Sequence, residues 1–320
     1  MFLPALLSLI IVIALITTLP VAAVRMTHGI TITPTGDPLH DALATAERYS
    51  RRSIGLALLI ALIAAAAVAV VWAVVERATA PVDPAAPYVE HSDLGTAVAP
   101  LVFGVTGLLV LLVRERRSPL DTSTTRTASL SPRSARSYLS RPFVAVAILA
   151  LVVLVGLIVA GMATGDSTGQ QLTLTFTSGG AAMTTSFRPW PGWFYGGPSL
   201  VLLAVQLVLV ALTLRQVAVR SQVTTGRDDG LDEALRRRSS DTVLGLLLVS
   251  LALPTLYFGI GMGPVLGWAM GEHPAASQAM GALGAVALVC AAGSLLVLGC
   301  GVALLIRRPV RLLEMAGVPA

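Results

Sequence analysis

Residues 143–163 read FVAVAILALVVLVGLIVAGMA, an unbroken run without a charged side chain. As a helix, a run of this length crosses the ~30 Å hydrocarbon core of a bilayer. It lacks the apolar and polar alternation of a membrane-barrel strand, and in lipid a helix satisfies its own backbone hydrogen bonds. Residues 143–163 therefore predict a transmembrane helix, and elements of this kind decide the fold.

Similar runs lie on both sides of residues 143–163. Of the 320 residues, 55% are hydrophobic and 12% are charged, which is about half the charged fraction of a soluble domain. We predict an all-α membrane protein with seven transmembrane helices, near 2–24, 54–75, 96–113, 143–163, 199–219, 243–263 and 279–306. The first range has no basic n-region and no cleavage site of the signal-peptide type, so we interpret it as a span.

The arginines predict the orientation of these spans. All 22 basic residues are arginines, and all except Arg77 and Arg188 lie at or beyond the ends of the first, third, fifth and seventh spans. Basic residues near span ends are retained in the cytoplasm. We therefore predict a multi-pass protein of the cell membrane, with its N-terminus outside and its C-terminus in the cytoplasm. No basic stripe is interleaved with stacking aromatic residues, so we expect no nucleic-acid partner.

Two arginine-rich segments resemble each other. Residues 39–43 read LHDAL and precede an arginine cluster and Gly55, while residues 231–235 read LDEAL and precede an arginine cluster and Gly245. Both segments predict amphipathic helices on the cytoplasmic membrane surface. Spans one and five run in the same direction, which favours a parallel repeat of three spans, a linker span and three spans; chance similarity of two basic loops is the alternative. The predicted surface helices are 37–52 and 228–240.

Residues 171–177 change the period of the pattern. They read QLTLTFT and run into Ser178-Gly179-Gly180, which predicts a small extracytoplasmic β-hairpin between spans four and five. Trp190, Trp193 and Tyr195 follow, and we expect them to be interfacial anchors at the level of the lipid headgroups. The predicted parts of the chain are the first three-span unit at 1–113, a flexible basic cytoplasmic linker at 114–142, the linker span with the hairpin and aromatic loop at 143–198, and the second three-span unit at 199–320.

Polar residues are few within the spans. No Asp, Glu or His lies in the middle of one, which argues against proton-coupled or cation-coupled transport. Pro254 and Pro264 predict a sixth span that is kinked or broken near its outer end. Such a helix can line a substrate cavity, whereas polar side chains also form hydrogen bonds between packed helices. The residues that we assign to a pathway or to packing are Gln206, Tyr257, Gly261 and Pro264.

Side chains with catalytic chemistry are equally sparse. The absence of lysine excludes a retinal or pyridoxal Schiff base and a Walker A phosphate loop. Cys290 and Cys300 are separated by ~15 Å of helix, which is too far for a disulfide. His91 and His273, each beside a glutamate, are the metal-ligand candidates, but two separate pairs do not make a four-ligand site. We expect no catalytic residue, no cofactor and no metal, and the alternative is a membrane enzyme that uses these histidines.

Residues 129–139, 191–196 and 232–237 resemble uncharacterised polytopic membrane proteins of actinobacteria, the high-GC Gram-positive bacteria. The resemblance implies no catalytic residues, and it places such proteins near GntR-type regulators and ABC exporters. The layout of three spans, a linker and three spans is similar to that of SWEET-type transporters, although the proline-glutamine signature of that family is absent.

Together, these patterns predict a non-enzymatic accessory or sensory partner of an envelope or transport system. The alternative is a small transporter of a neutral or apolar solute between the two three-span halves. The predicted partners are the lipid bilayer and either other membrane proteins or a second copy of this chain.

Overall fold

The computed structural model describes residues 38–79, 94–117, 135–178, 181–187, 190–220, 229–272 and 274–306. Within these ranges the chain forms helices, one short 3-10 turn at Ala135–Tyr138 and one pair of strands. The helices are α1 (Pro38–Thr79), α2 (Leu94–Arg116), α3 (Arg141–Thr164), α4 (Trp193–Val219), α5 (Asp229–Glu272) and α6 (Pro274–Ile306), and the strands are β1 (Leu172–Ser178) and β2 (Ala181–Phe187).

Each of the six described helices contains a segment that is long and apolar enough to cross a membrane. The architecture is therefore that of a multi-pass membrane protein. The first predicted span, 2–24, lies outside the described residues. The membrane-crossing segments are Arg48–Val75, Leu94–Arg116, Arg141–Thr164, Trp193–Val219, Asp232–Gly263 and Gly281–Ile306.

Helix α5 occupies the centre of the bundle. Of its membrane-crossing segment, 83% is buried within the protein, against 22% to 50% for the other five segments. Leu248 and Leu251 pack with Leu101 of α2 and Leu154 of α3. In a second apolar cluster, Ile54 and Leu58 of α1 pack with three residues of α5, which are Val243, Leu246 and Val249.

The arginine-rich segments at the start of α1 and α5 are not separate elements. We expected surface helices at 37–52 and 228–240, but α1 continues for 42 residues and α5 for 44. This corrects both expectations. The amphipathic sequence is helical in each case and joins the span without a break. Gly55 and Gly245 lie at these junctions, and a glycine inside a helix costs only ~1 kcal/mol. The charged turns are therefore continuous with the spans.

Helix α5 also passes both of its prolines without interruption. Pro254 and Pro264 lie inside the continuous helix, so the expected break in the sixth span is wrong, whereas the expected kink stays a prediction. A proline inside a helix removes one backbone hydrogen bond and costs about 3 kcal/mol or more. Phe258 and Met262 are almost fully buried between the two prolines. Apolar packing on several sides thus offsets the local cost.

Small residues let α5 and α6 approach closely. A Cβ atom on Gly245 would lie 2.9 Å from the carbonyl oxygen of Gly301. A Cβ atom on Gly259 would lie 2.6 Å from the carbonyl oxygen of Ala287 and 2.8 Å from the Cβ of Ala291. Close backbone approach of this kind stabilises helix pairs in membranes through van der Waals contact. Ala287, Ala291 and Gly301 of α6 therefore serve packing within this bundle.

Strands β1 and β2 are antiparallel, with Leu172 opposite Phe187 and Ser178 opposite Ala181. They lie between α3 and α4, and we call this end of the bundle the hairpin end. The placement of the strands outside a membrane stays a prediction.

Trp190, which follows β2, connects this segment to α3 through hydrogen bonds. Its indole is fully buried, and its Nε1–H donates to the carbonyl oxygen of Gly161 and to Thr164 Oγ1, each at 3.1 Å. Gly169 has a φ of +68°, and a Cβ atom there would lie 2.8 Å from the backbone nitrogen of Phe194. Only glycine fits this contact without strain.

Asp166 organises the turn between α3 and β1. Its Oδ1 accepts hydrogen bonds from the backbone N–H of Thr168 at 3.2 Å and from Thr168 Oγ1 at 2.7 Å. Burial raises the pKa of Asp166, but hydrogen bonds from Thr168, Gln171 and Gln170 outweigh that effect and hold the pKa below its usual value of 3.8. The turn therefore favours the ionised carboxylate.

Gly259 and Gly261 form a matched pair for testing the contact between α5 and α6. Gly259→Ala places a methyl group against the α6 backbone, and we expect it to lower the free energy of unfolding by about 1–3 kcal/mol. Gly261→Ala points into open space, and we expect a gain of about 0.5–1 kcal/mol because alanine favours the helix. Chemical denaturation in detergent micelles measures both changes. Equal effects of the two substitutions would contradict the described packing.

Candidate functional site at the arginine end

Charged side chains of the described residues collect at the end of the bundle opposite the hairpin. Helices α2, α4 and α6 end there, and α5 begins there. We call this region the arginine end. Cations are favourable beside helix C-termini, where the last carbonyl groups carry partial negative charge. The residues that build its network are Glu115, Arg220, Asp232, Arg236, Arg238 and Ser239, of which Asp232 and Arg236 are buried and the others half-buried.

Arg236 of α5 lies at the centre of this network and is fully buried. Its Nε–H donates to Asp232 Oδ2 at 2.7 Å, one helical turn earlier. Its Nη1 donates to the carbonyl oxygens of Val217 at 2.6 Å and Ala218 at 2.7 Å, and its Nη2 donates to that of Arg220. These carbonyls lie at the C-terminus of α4, where the helix offers them no backbone donor. Arg236 therefore caps α4 from a neighbouring helix.

Two further helix ends are capped in the same way. Arg238 of α5 donates from Nη1 to the carbonyl oxygen of Leu304 at 3.0 Å and from Nη2 to that of Leu305 at 2.7 Å. Tyr49 of α1 donates its hydroxyl to the carbonyl oxygen of Arg114 at 3.0 Å. The C-termini of α6 and α2 thus receive donors from α5 and α1.

Glu115 of α2 connects three helices. Its Oε2 accepts a hydrogen bond from Arg220 Nη1 at 3.0 Å, and its Oε1 accepts one from Ser239 Oγ at 2.8 Å. Arg220 is the C-cap residue of α4, and Ser239 belongs to α5. The side chains of Arg220 and Glu115 are only 9% and 15% exposed. This ion pair is therefore much less screened by solvent than a surface pair.

Three polar atoms of this network are buried without a hydrogen-bond partner in the described structure: Nε and Nη2 of Arg220 and Oδ1 of Asp232. By contrast, the neighbouring pair of Arg237 and Glu233 joins at 2.5 Å but is 51% and 39% exposed. A buried charged donor without an acceptor costs more than 1–3 kcal/mol, whereas an exposed pair contributes little. At the arginine end, all three guanidinium nitrogens of Arg236 are therefore hydrogen-bonded, whereas Nε and Nη2 of Arg220 lack acceptors among the described residues.

Of the mid-span residues that we assigned to a pathway or to packing, Gln206 lies on α4 and the other three lie on α5. Gln206 is fully buried, and its Nε2 donates to Ser250 Oγ, which donates in turn to the carbonyl oxygen of Leu247 at 2.9 Å. Gly104 of α2 packs closely against this hydrogen-bonded pair, since a Cβ atom there would lie 2.7 Å from Gln206 Nε2. The Oε1 atom of Gln206 is buried without a partner in the part of the chain that the structure describes.

The other three residues of that set are Tyr257, Gly261 and Pro264 of α5. The ring of Tyr257 packs on Phe258 with centroids 5.5 Å apart. A Cβ atom on Gly261 would meet open space. Pro264 lies within α5, and its side chain is outside the described part.

The three aromatic residues near the hairpin do not share one environment. Trp193 is 68% exposed, which is compatible with an interfacial anchor, whereas Trp190 and Tyr195 are 0% and 2% exposed. The last two rings pack inside the protein and not against headgroups. This corrects the expectation for Trp190 and Tyr195.

The metal-ligand candidates His91 and His273 lie outside the described residues. Within the described residues, no three side chains of His, Cys, Asp or Glu are grouped to hold a metal ion. Cys290 and Cys300 are free thiols, each partly buried on α6.

Sequence reasoning did not identify the residues of the arginine end as a site. The spacing of Asp232 and Arg236 was visible as an i,i+4 pair, but nothing local distinguished buried Arg236 from exposed Arg237.

No protein-family model matches this chain, and no match was found among curated proteins or solved structures.

Arg236 and Arg237 are adjacent and test the capping role. Arg236→Gln removes the charge that Asp232 faces and three donors to α4, and we expect a loss of about 3–5 kcal/mol in unfolding free energy. Arg237→Gln breaks only the exposed pair, and we expect a change within about 0.5 kcal/mol. Denaturant titration of both variants in one detergent gives the comparison. Similar losses in the two variants would show that burial of Arg236 carries no special stability.

Proposed function

We propose that this chain is a non-enzymatic integral membrane protein that acts as an accessory or sensory partner of another envelope or transport system. One observation carries the proposal: at the arginine end, side chains of α1 and α5 donate hydrogen bonds to the C-termini of α2, α4 and α6. Groups used in this way hold helices in fixed relative positions. The arrangement suits a protein that transmits a structural change to a partner.

Helix α5 supplies the route for such a change. With a rise of 1.5 Å per residue, its 44 residues extend ~66 Å. Near the hairpin end, Met262 and Leu266 pack with Trp190 and Leu172. Near the other end, Arg236 caps α4. A displacement of the hairpin would therefore move α5 and alter the caps of its neighbours.

The proposed topology has seven spans, with the first at 2–24, the N-terminus outside and the arginine end in the cytoplasm. The arginine distribution supports it. A cysteine introduced for Arg117, at the exposed end of α2, should react with a membrane-impermeant maleimide only in permeabilised cells. Labelling in intact cells would reverse the orientation.

We also infer a parallel repeat, in which α1 and α2 correspond to α5 and α6. In each pair, the long first helix donates a hydrogen bond to the end of the second. Tyr49 donates to the carbonyl oxygen of Arg114, and Arg238 donates to that of Leu304. Each acceptor lies two residues before the last residue of its helix. The matched caps and the similar lengths of α1 and α5 support duplication over chance similarity.

We expect the partner to bind the side of α1 that faces away from the bundle, where Val70 is 61% exposed. A photo-crosslinking residue at Val70 in native membranes should give a discrete adduct with another membrane protein. The same residue at Leu108, which is fully buried, should give none and serves as the control. A monodisperse protein that forms no adduct and retains no partner after gentle extraction would count against the proposal.

The alternative function is a small transporter of a neutral or apolar solute between the two three-span halves. The buried amide of Gln206 near the middle of α4 favours this alternative, because its Oε1 has no hydrogen-bond partner among the described residues and offers one acceptor at mid-depth. In proteoliposomes, Gln206→Leu should then abolish solute flux, while Thr213→Val, also at a buried position of α4, should preserve it. Absence of flux with the unmodified protein over a panel of neutral solutes would remove this function.

A further inference from the structure

Arg220 presents a complete hydrogen-bonding edge that no described residue uses. Its Nη1 donates to Glu115, whereas its Nε and Nη2 are buried without an acceptor in the part of the chain that the structure describes. The N–H groups of Nε and Nη2 point the same way and form one of the bidentate edges of a guanidinium group. This edge matches two oxygens of a carboxylate or phosphate.

The position of this edge is fixed by the rest of the residue. The backbone N–H of Arg220 donates to the carbonyl oxygen of Gln216 at 3.0 Å, and its own carbonyl oxygen accepts from Arg236. With Nη1 bound to Glu115, the residue is held at three points and its side chain is 9% exposed. A bound anion would therefore cost little side-chain entropy, because the guanidinium is already ordered.

The comparison with Arg236 shows why Arg220 stands out. All three nitrogens of the Arg236 guanidinium have acceptors, so Arg236 is occupied as a structural cap. Within the described residues, only one of the three guanidinium nitrogens of Arg220 has an acceptor. An unmet charged donor carries a desolvation cost that an incoming oxoanion would remove.

The surrounding charge and the depth in the membrane select the kind of anion. Among the described residues of 114–117, 141, 220 and 229–241, eight are arginines and five are acidic. Arg220 directly follows the apolar segment of α4, which ends at Val219. This boundary is the level of lipid phosphate groups in a multi-pass protein.

We propose that Arg220 binds a phosphate-type oxoanion through its Nε and Nη2 edge. The same chemistry is offered by the phosphodiester of an anionic lipid and by free inorganic phosphate. The site is independent of the proposed partner role, because anion binding needs no second protein.

Binding is measured on the full chain in a neutral detergent, by native mass spectrometry and by the thermal unfolding midpoint. One arm adds phosphatidylglycerol and a second adds inorganic phosphate. We expect a raised midpoint and one retained anion per chain in at least one arm. Binding of the lipid alone identifies a headgroup site, and binding of phosphate alone identifies a free-anion site. No binding in either arm overturns the proposal.

Three variants test the assigned edge. Arg220→Lys keeps the charge but lacks the bidentate edge, and we expect affinity to fall about tenfold or more. Arg237→Lys is the matched control at an exposed position, and we expect it to stay within about twofold. Glu115→Gln removes the carboxylate that competes with the anion, and we expect tighter binding by about threefold or more.

Unchanged affinity in Arg220→Lys overturns the assignment. If that variant does not unfold cooperatively, Glu115→Gln decides, since failure to tighten binding also overturns it. Loss of partner crosslinking with intact anion binding would instead contradict only the proposed function.

Discussion

The arrangement of this bundle depends on satisfying the carbonyl groups at the ends of its helices. The last four carbonyls of a helix have no donor within it, and in a buried setting each unpaired group is costly. Arginine suits the task because one guanidinium reaches several carbonyls at once. Arg236 does so for α4 and Arg238 for α6. These caps fix the position of α5 relative to its neighbours.

The central place of α5 follows from the same interactions. A helix whose first turns carry the capping arginines must stand among the helices that it caps, and its span is accordingly the most buried of those described. Glycines then set its distance to α6, and apolar clusters fill the other sides. One helix thus connects the arginine end with the Trp190 cluster at the hairpin end. That connection is the physical basis of the transmission role that we propose.

Much of the element order could be predicted from residue type alone. The apolar runs from residue 54 onward each coincide with a described helix, because length and hydrophobicity suffice to specify a spanning helix. The expected separate helices at 37–52 and 228–240 and the expected break in the sixth span were wrong. Local signals marked amphipathic starts and prolines as breaks, whereas α1 and α5 are each continuous, and α5 is buried along most of its span. Neighbours that are distant in sequence offset those local costs.

The sequence by itself determined that this chain forms apolar helices with arginines beside alternate ends, since hydrophobicity and charge are properties of single residues. Only the tertiary structure decided which arginine is buried. Arg236 and Arg237 are adjacent and chemically identical, yet one is fully buried against α4 and the other is half exposed. It likewise decided that Trp190 packs inside the protein and that Arg220 meets Glu115. The reason is that a cap, an ion pair or a buried ring needs a partner, and these partners lie on other helices, up to 105 residues away.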